Sequence, residues 1–329
     1  MPIFFQWRVL LALALAAALP AASLAQTGDA VNWPNRPVSL VIPFPPGGTS
    51  DVIGRQLAER LREELGQNFI IENKAGAATA IGTAAVARAP KDGYTLLLTA
   101  GTTFTVTPNM NDKLPYKLDD FDSVAAVCTT PFAFVVRNDF PARDLREFIA
   151  YAKAHPGKVN NATTGQGGIV HLLGELIAAG LNVEMTQVHY KGAAPAMMDM
   201  IGGVVDSNVE GLTNAVPNVH AGKYRALAVL STERQPLMPD VPTFKELGFP
   251  SINGEIWYAV FAPAGTSKPA LDRLGAALRK ITASASFREA MQKTGNEPKS
   301  TTAAELHGMA VQENREWGEL IRRLNIKMD

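Results

Sequence analysis

The sequence predicts a two-lobed α/β protein. Three observations carry that prediction. Short apolar runs alternate with amphipathic segments along nearly the whole chain, the alternation restarts past residue 130, and no long linker parts the two halves. Strand–helix alternation is the signature of βαβ units on a mainly parallel sheet. A length of 329 residues suits about two domains at roughly 150 residues each.

The elements follow in order. Residues 38–42 are an apolar run with the length of a buried strand, and 52–65 carry Ile53, Leu57, Leu61 and Leu65 at helical spacing before the stop at Gly66. A second strand covers 69–72, a second helix 80–89, and the Pro90-Lys91-Asp92-Gly93 turn leads into a third strand at 94–98. The second half repeats the pattern, with strands at 132–136, 160–163, 185–188, 207–209 and 226–230. Helices fall at 145–154, 169–179 and 193–201. A strand at 255–261 then precedes helices at 269–283, 286–293 and 303–324. Two sheets are expected, one per half, with the chain crossing between them near 129–131 and 253–257. A cleft between such lobes is a usual small-molecule site.

The N-terminus reads as an address. Arg8 precedes an unbroken apolar run from Val9 to Leu19, Pro20 breaks it, and Ser23-Leu24-Ala25 sets small residues at the −3 and −1 positions. That is a secretory signal with cleavage after Ala25. The alternative, a membrane anchor, needs about 20 apolar residues. No lipobox cysteine stands at the end of the run, so no lipid anchor is expected there. The mature chain would begin at Gln26, outside the cytoplasmic membrane.

Composition excludes several function classes. There are 31 basic and 31 acidic residues, with no basic stripe to neutralise phosphates, so nucleic acid is not an expected partner. A single cysteine, Cys128, excludes a disulfide framework, and a small buried hydrophobe is its expected role. The histidines at 155, 171, 189, 220 and 307 never fall three or four residues apart, so no zinc-protease helix is present. There is no G-x-S-x-G elbow and no S-x-x-K with K-T-G. No metal, cofactor or catalytic residue is assigned.

The sharpest local feature is Pro43-Phe44-Pro45-Pro46-Gly47-Gly48-Thr49-Ser50-Asp51, between the first strand and the first helix. The prolines stiffen the strand exit, the glycines let the chain turn, and Thr49, Ser50 or Asp51 can start the helix. Exposed amides at a helix start bind anions. The dipole there supplies about 0.3–1 kcal/mol, whereas each hydrogen bond to a charged acceptor adds roughly 1.5–3 kcal/mol. The amides therefore dominate. A tight turn with a helix cap is the plainer alternative. The lysine of a nucleotide P-loop is missing, and so is G-x-G-x-x-G.

Thr163-Thr164-Gly165-Gln166-Gly167-Gly168 has the same character and leads into Ile169-Val170-His171. Two such loops, one per lobe, can share one anion across a cleft. Thr99 and Thr102 supply further hydroxyls after the third strand, and Tyr190-Lys191-Gly192 opens a later helix. His171, one turn into its helix, reads by itself as a capping or packing residue. Lys191 reads equally as a solvated side chain.

Pro43-Phe44-Pro45-Pro46-Gly47-Gly48-Thr49-Ser50-Asp51, Pro90-Lys91-Asp92-Gly93-Tyr94-Thr95-Leu96-Leu97, Lys113-Leu114-Pro115-Tyr116, Tyr190-Lys191-Gly192-Ala193-Ala194-Pro195-Ala196, Ala221-Gly222-Lys223-Tyr224-Arg225-Ala226-Leu227-Ala228-Val229, Pro239-Asp240-Val241-Pro242-Thr243 and Phe261-Ala262-Pro263-Ala264-Gly265-Thr266 occur in this order. That order resembles the Bug (TctC-like) family of extracytoplasmic solute receptors, from about Trp33 to the C-terminus. The resemblance implies a periplasmic binding protein fold, type II-like, with lobes at 26–130 plus 256–329 and at 131–255. It implies a small organic carboxylate as ligand, membrane subunits of a tripartite tricarboxylate transporter as partners, and a monomer without covalent chemistry.

Carried over by position, the ligand contacts implied are Phe44, Gly47, Gly48, Thr49, Ser50 and Asp51. The facing loop adds Thr163, Gly165, Gly167 and Gly168, with His171 behind, and Tyr190 and Glu210 further on. Three departures stand out. Gly76-Ala77-Ala78-Thr79 occupies the place of Gly-Ala-Gly-Gly, Gly168 that of a Ser or Thr, and Glu210 that of an Asp. The first implies a differently shaped loop, and the last disfavours a second ligand carboxylate or favours an ammonium. A sensor subunit of a receptor kinase is the rival reading, and a secreted hydrolase a distant one.

Overall fold

Three parallel strands open the fold: β1 (Val38–Ile42), β2 (Phe69–Asn73) and β3 (Thr95–Ala100). Leu40 of β1 faces Ile71 on one side and Leu96 on the other. Helices α1 (Thr49–Leu65) and α2 (Ala80–Ala87) join them, and short helices α3 (Thr102–Thr105) and α4 (Thr107–Met110) follow. The same run then recurs as β5 (Val159–Thr163), α6 (Ile169–Leu181), β6 (Met185–His189), α7 (Ala193–Ile201) and β7 (Ser207–Gly211). Strands lie in the order β2-β1-β3 in the first case and β6-β5-β7 in the second, so the fold is one motif used twice.

Between the repeats runs β4 (Phe121–Arg137), and after them α8 (Leu212–His220), β8 (Tyr224–Val229) and β9 (Glu255–Pro263). Helix α5 (Leu145–Ala154) precedes β5, while α9 (Lys268–Ala283), α10 (Ala285–Lys293), β10 (Glu297–Pro298) and α11 (Ala303–Leu324) complete the chain. β4 changes partners midway. Phe121 to Pro131 pair antiparallel with β9, whereas Phe132 to Arg137 pair antiparallel with β7 and β8. One strand thus belongs to both lobes. This computed structural model describes residues 32–324, and those from Pro34 onward form one compact unit.

Each lobe buries its own aromatic core. Phe104, Phe121, Trp257 and Phe261 pack together in the first, with Phe104 and Phe261 ring centroids 4.8 Å apart. In the second, Phe134 and Phe148 meet edge to face at 4.9 Å. Each such side chain contributes roughly 1.5–3 kcal/mol on burial. At the crossing, Asn296 Oδ1 accepts from both Thr130 and Thr213, all three being buried.

The sequence reading needs correction in five places. The sheets are not separate, because β4 and β9 join them into one hydrogen-bonded path. Their centre is antiparallel, since β9 and β4 return against β3 and β7. Helix α1 starts at Thr49, three residues before the apolar stripe, and Thr99 belongs to β3 rather than to a following loop. Helix α8 carries Pro217 and four polar residues, Thr213, Asn214, Asn218 and His220, which hide its period. Cys128 is buried as expected, and burial pushes its thiol well above the usual range. The signal segment lies outside the described residues.

Candidate functional site

β1 ends at Ile42, and the Phe44 carbonyl accepts from Asn73 Nδ2 at 3.2 Å. Gly47 has φ +81, where an L side chain is strained, though no atom would meet its Cβ. Conformation, not space, requires glycine there. Gly48 is the N-cap, extended at φ −86 and ψ 174. None of the expected hydroxyls caps the helix. Instead Asp51, in its first turn, accepts the Gly47 N–H on Oδ2 at 3.1 Å and also pairs with Arg55 at 3.0 Å. Burial raises the Asp51 pKa, but hydrogen bonds from Arg55, Gly47 and Asn73 outweigh it and hold the carboxyl below its ordinary value.

The second loop repeats this build. Gly167 has φ +72, Gly168 is the extended N-cap at φ −80 and ψ 169, and His171 Nδ1 accepts the Gly167 N–H at 3.1 Å. An accepting Nδ1 places the ring proton on Nε2, which faces Glu175 Oε1 at 3.7 Å. Burial first, and the charge of neighbouring His189 second, push the His171 pKa down to about 4. The ring is therefore neutral at pH 7, and it holds the amide that precedes the helix cap. At both helix starts the first amides, Thr49 and Ser50 or Ile169 and Val170, have no acceptor within their own helix.

Parts of the two lobes meet beside the first loop. A Cβ on Gly192, the N-cap of α7, would stand 3.0 Å from Pro45 Cγ, and one on Gly211, the N-cap of α8, 3.2 Å from Thr49 Oγ1. The Tyr258 hydroxyl, buried on β9, lies within reach of the Ser50 and Thr49 side chains. Glu210, one residue before Gly211, is only 4% exposed. Asn208 Nδ2 donates to its Oε2 at 2.7 Å and Asn214 Nδ2 to its Oε1 at 3.2 Å. Burial pushes this carboxyl up to about 7, with Asn214 offsetting only part of the effect.

The remaining expected residues divide. Thr163 Oγ1 bonds His189 Nδ1 at 2.7 Å, and its carbonyl accepts the Tyr190 N–H at 2.9 Å beside Gly165. The Tyr190 hydroxyl donates to Asp199 at 2.7 Å. Thr99 is fully buried with its hydroxyl 2.6 Å from that of Thr103, and Thr102 is nearly so at the start of α3. Lys191 is exposed. Sequence reasoning passed over Tyr258, Asn208 and Asn214. A signal existed for Asn208: alternate polar residues in the short buried strand Ser207-Asn208-Val209-Glu210.

A two-lobed α/β fold built from one motif used twice, with the chain crossing on shared central strands, defines the class of periplasmic solute-binding proteins. The chain belongs to the tripartite tricarboxylate transporter family receptor (TctC) family, which it matches over residues 53–326. It is 35% identical to Protein BugT of Bordetella pertussis over 93% of this chain and 95% of that one. The structure of periplasmic binding protein BugD is similar at a TM-score of 0.86 and 35% identity, covering 90% of this chain and 100% of BugD. The R. palustris protein Rpa4515, solved with adipate, matches at a TM-score of 0.87 and 30% identity over 90% of this chain and 99% of that one.

Proposed function

We propose that this protein is an exported receptor that captures a small organic carboxylate between its lobes and delivers it to the membrane subunits of a tripartite tricarboxylate-type transporter. The observation that carries the reading is the paired loop: two helix starts with the same backbone angles, the same extended glycine cap and the same locked amide. The ligand carboxylate lies between them and accepts from the amides of Thr49, Ser50, Ile169 and Val170. Each charge-assisted bond contributes about 1.5–3 kcal/mol. Adipate in the R. palustris relative supports the ligand class.

The lobes comprise residues 26–130 with 256–329, and residues 131–255. The partner change of β4 between Pro131 and Phe132 supports that division. A ligand held by amides of both lobes binds the closed form better than the open one, and only that difference shifts the equilibrium. Export follows cleavage after Ala25, and no residue is assigned a bond-breaking role.

A thermal-shift screen of residues 26–329 against aliphatic, aromatic and amino carboxylates tests this. A ligand at 100 times its Kd adds about 2.7 kcal/mol of stability. A shift with one carboxylate, which is recovered unchanged after incubation, is the expected result. No shift with any carboxylate, on folded ligand-free protein, would refute it.

A further inference from the structure

Asn208 and Glu210 sit two residues apart on β7, so strand alternation turns both to one face, where Asn214 of α8 meets Glu210. Asn208 has no exposed surface, its Nδ2 is engaged by Glu210, and its Oδ1 is buried with no hydrogen-bond partner. Among the described residues no lysine, arginine or histidine is paired with Glu210, and the groups around it are neutral: Asn208 on β7, Asn214 on α8, Tyr224 on β8 and Tyr258 on β9. The cluster therefore presents three buried acceptor oxygens to two amide donors, without a positive charge. A buried polar group left without a partner is costly, and a buried charge left without one is more so.

The deficit lies beside the proposed carboxylate site. Gly211 abuts Thr49, and Tyr258 both feels the charge of Glu210 and reaches Thr49 and Ser50. We propose that Glu210 and Asn208 form a subsite for the cationic nitrogen of the ligand, so that the solute captured is an amino carboxylate. This rests on the carboxylate-receptor reading and narrows it. An ammonium supplies the donors and the charge that the cluster lacks. A second ligand carboxylate would instead set like charges together or force a proton onto Glu210. Near neutrality Glu210 is partly protonated, so an arriving ammonium expels a proton, whereas a second carboxylate takes one up.

The test is calorimetry on the intact exported protein at pH 7, in two buffers of different ionisation enthalpy. The probes are matched pairs: 4-aminobutyrate with butyrate, L-glutamate with glutarate, and L-aspartate with succinate. The amino member of at least one pair should bind on the order of 30-fold tighter, with net proton release. Glu210→Gln should erase that preference and leave the des-amino member bound as well or better. Equal binding within every pair, or proton uptake, overturns the subsite while leaving the carboxylate receptor standing. Binding of neither member in any pair, where another carboxylate without an amino group binds, also overturns the subsite alone, and binding of no carboxylate at all overturns both. The wild-type comparison decides even if the variant does not fold.

Discussion

The Gly167 amide donates to Nδ1 of His171 at 3.1 Å. The Gly47 amide makes the same bond to Asp51 at 3.1 Å, four residues on in each case. Equivalent geometry thus holds a charged acceptor in one lobe and a neutral one in the other. His171→Asp should keep the lock, because Asp51 already reaches the equivalent Gly47 amide from the same helical position. It would add a negative charge beside the proposed anion site, where like charges a few ångströms apart cost about 4 kcal/mol at an effective dielectric of 20. Carboxylate affinity should fall at least about tenfold, with the urea midpoint nearly unmoved. Unchanged affinity would separate this loop from the ligand.

Ile169→Pro removes a single donor from the second loop. Proline fits the first turn of a helix, and the preceding Gly168 is already extended, as a residue before proline prefers. Stability should hold within about 0.5 kcal/mol, as for changes that break no buried contact. Affinity should drop by roughly 10-fold or more, the loss of one bond to a charged acceptor. A folded variant that binds as tightly as wild type would remove the Ile169 amide from the site.

Two buried groups give opposing pH dependences. His171, lowered from 6.5 to about 4, adds stability above pH 6.5 that is lost as pH falls toward 4. Glu210, raised from 4.5 to about 7, adds stability below 4.5 that is lost as pH rises toward 7. Each changes stability by up to about 1.4 kcal/mol per pH unit, so between about 4.5 and 6.5 the two nearly cancel. Relative to wild type, Glu210→Gln should gain stability as pH rises through that window and His171→Asn should lose it. Denaturant melts at three pH values would show parallel curves if neither group titrates there.

Gly192 sets how closely α7 approaches the first loop. A methyl group there meets Pro45 at 3.0 Å on a backbone with φ +118. Gly192→Ala should weaken ligand binding on the order of tenfold, from the clash and from backbone strain of about 1–3 kcal/mol. Adding Pro45→Ala should recover part of that loss, because the strain remains while the clash goes. Equal affinities for the single and double variants would assign the whole effect to strain.

Residues 76–79 all have positive φ, at +130 for Gly76, +47 for Ala77, +49 for Ala78 and +78 for Thr79. Side-chain-bearing residues thus hold a turn that glycines adopt without strain, at roughly 1–2 kcal/mol each. Ala78→Gly should raise stability by about 0.5–1 kcal/mol, the strain relieved less the entropy a glycine loses. A lower urea midpoint would contradict this.

Local chemistry decided much of the architecture. Apolar spacing alone placed helices at 145–154 and 193–201 with the bounds observed, and the glycine pairs marked both loop–helix junctions. The repeat was legible because each βαβ unit is written in contiguous sequence. Hydrophobic period, turn residues and caps act within a few residues of one another, and a sequence displays them directly. What the tertiary structure alone decided is which distant groups meet. β4 pairs with four strands in turn, Tyr258 on β9 reaches Thr49 and Ser50, and Glu210 is buried among amides. Burial and electrostatics are set by everything packed around a group, so the same Glu210 that reads as an ordinary acid in the sequence becomes a carboxyl poised near neutrality in the fold.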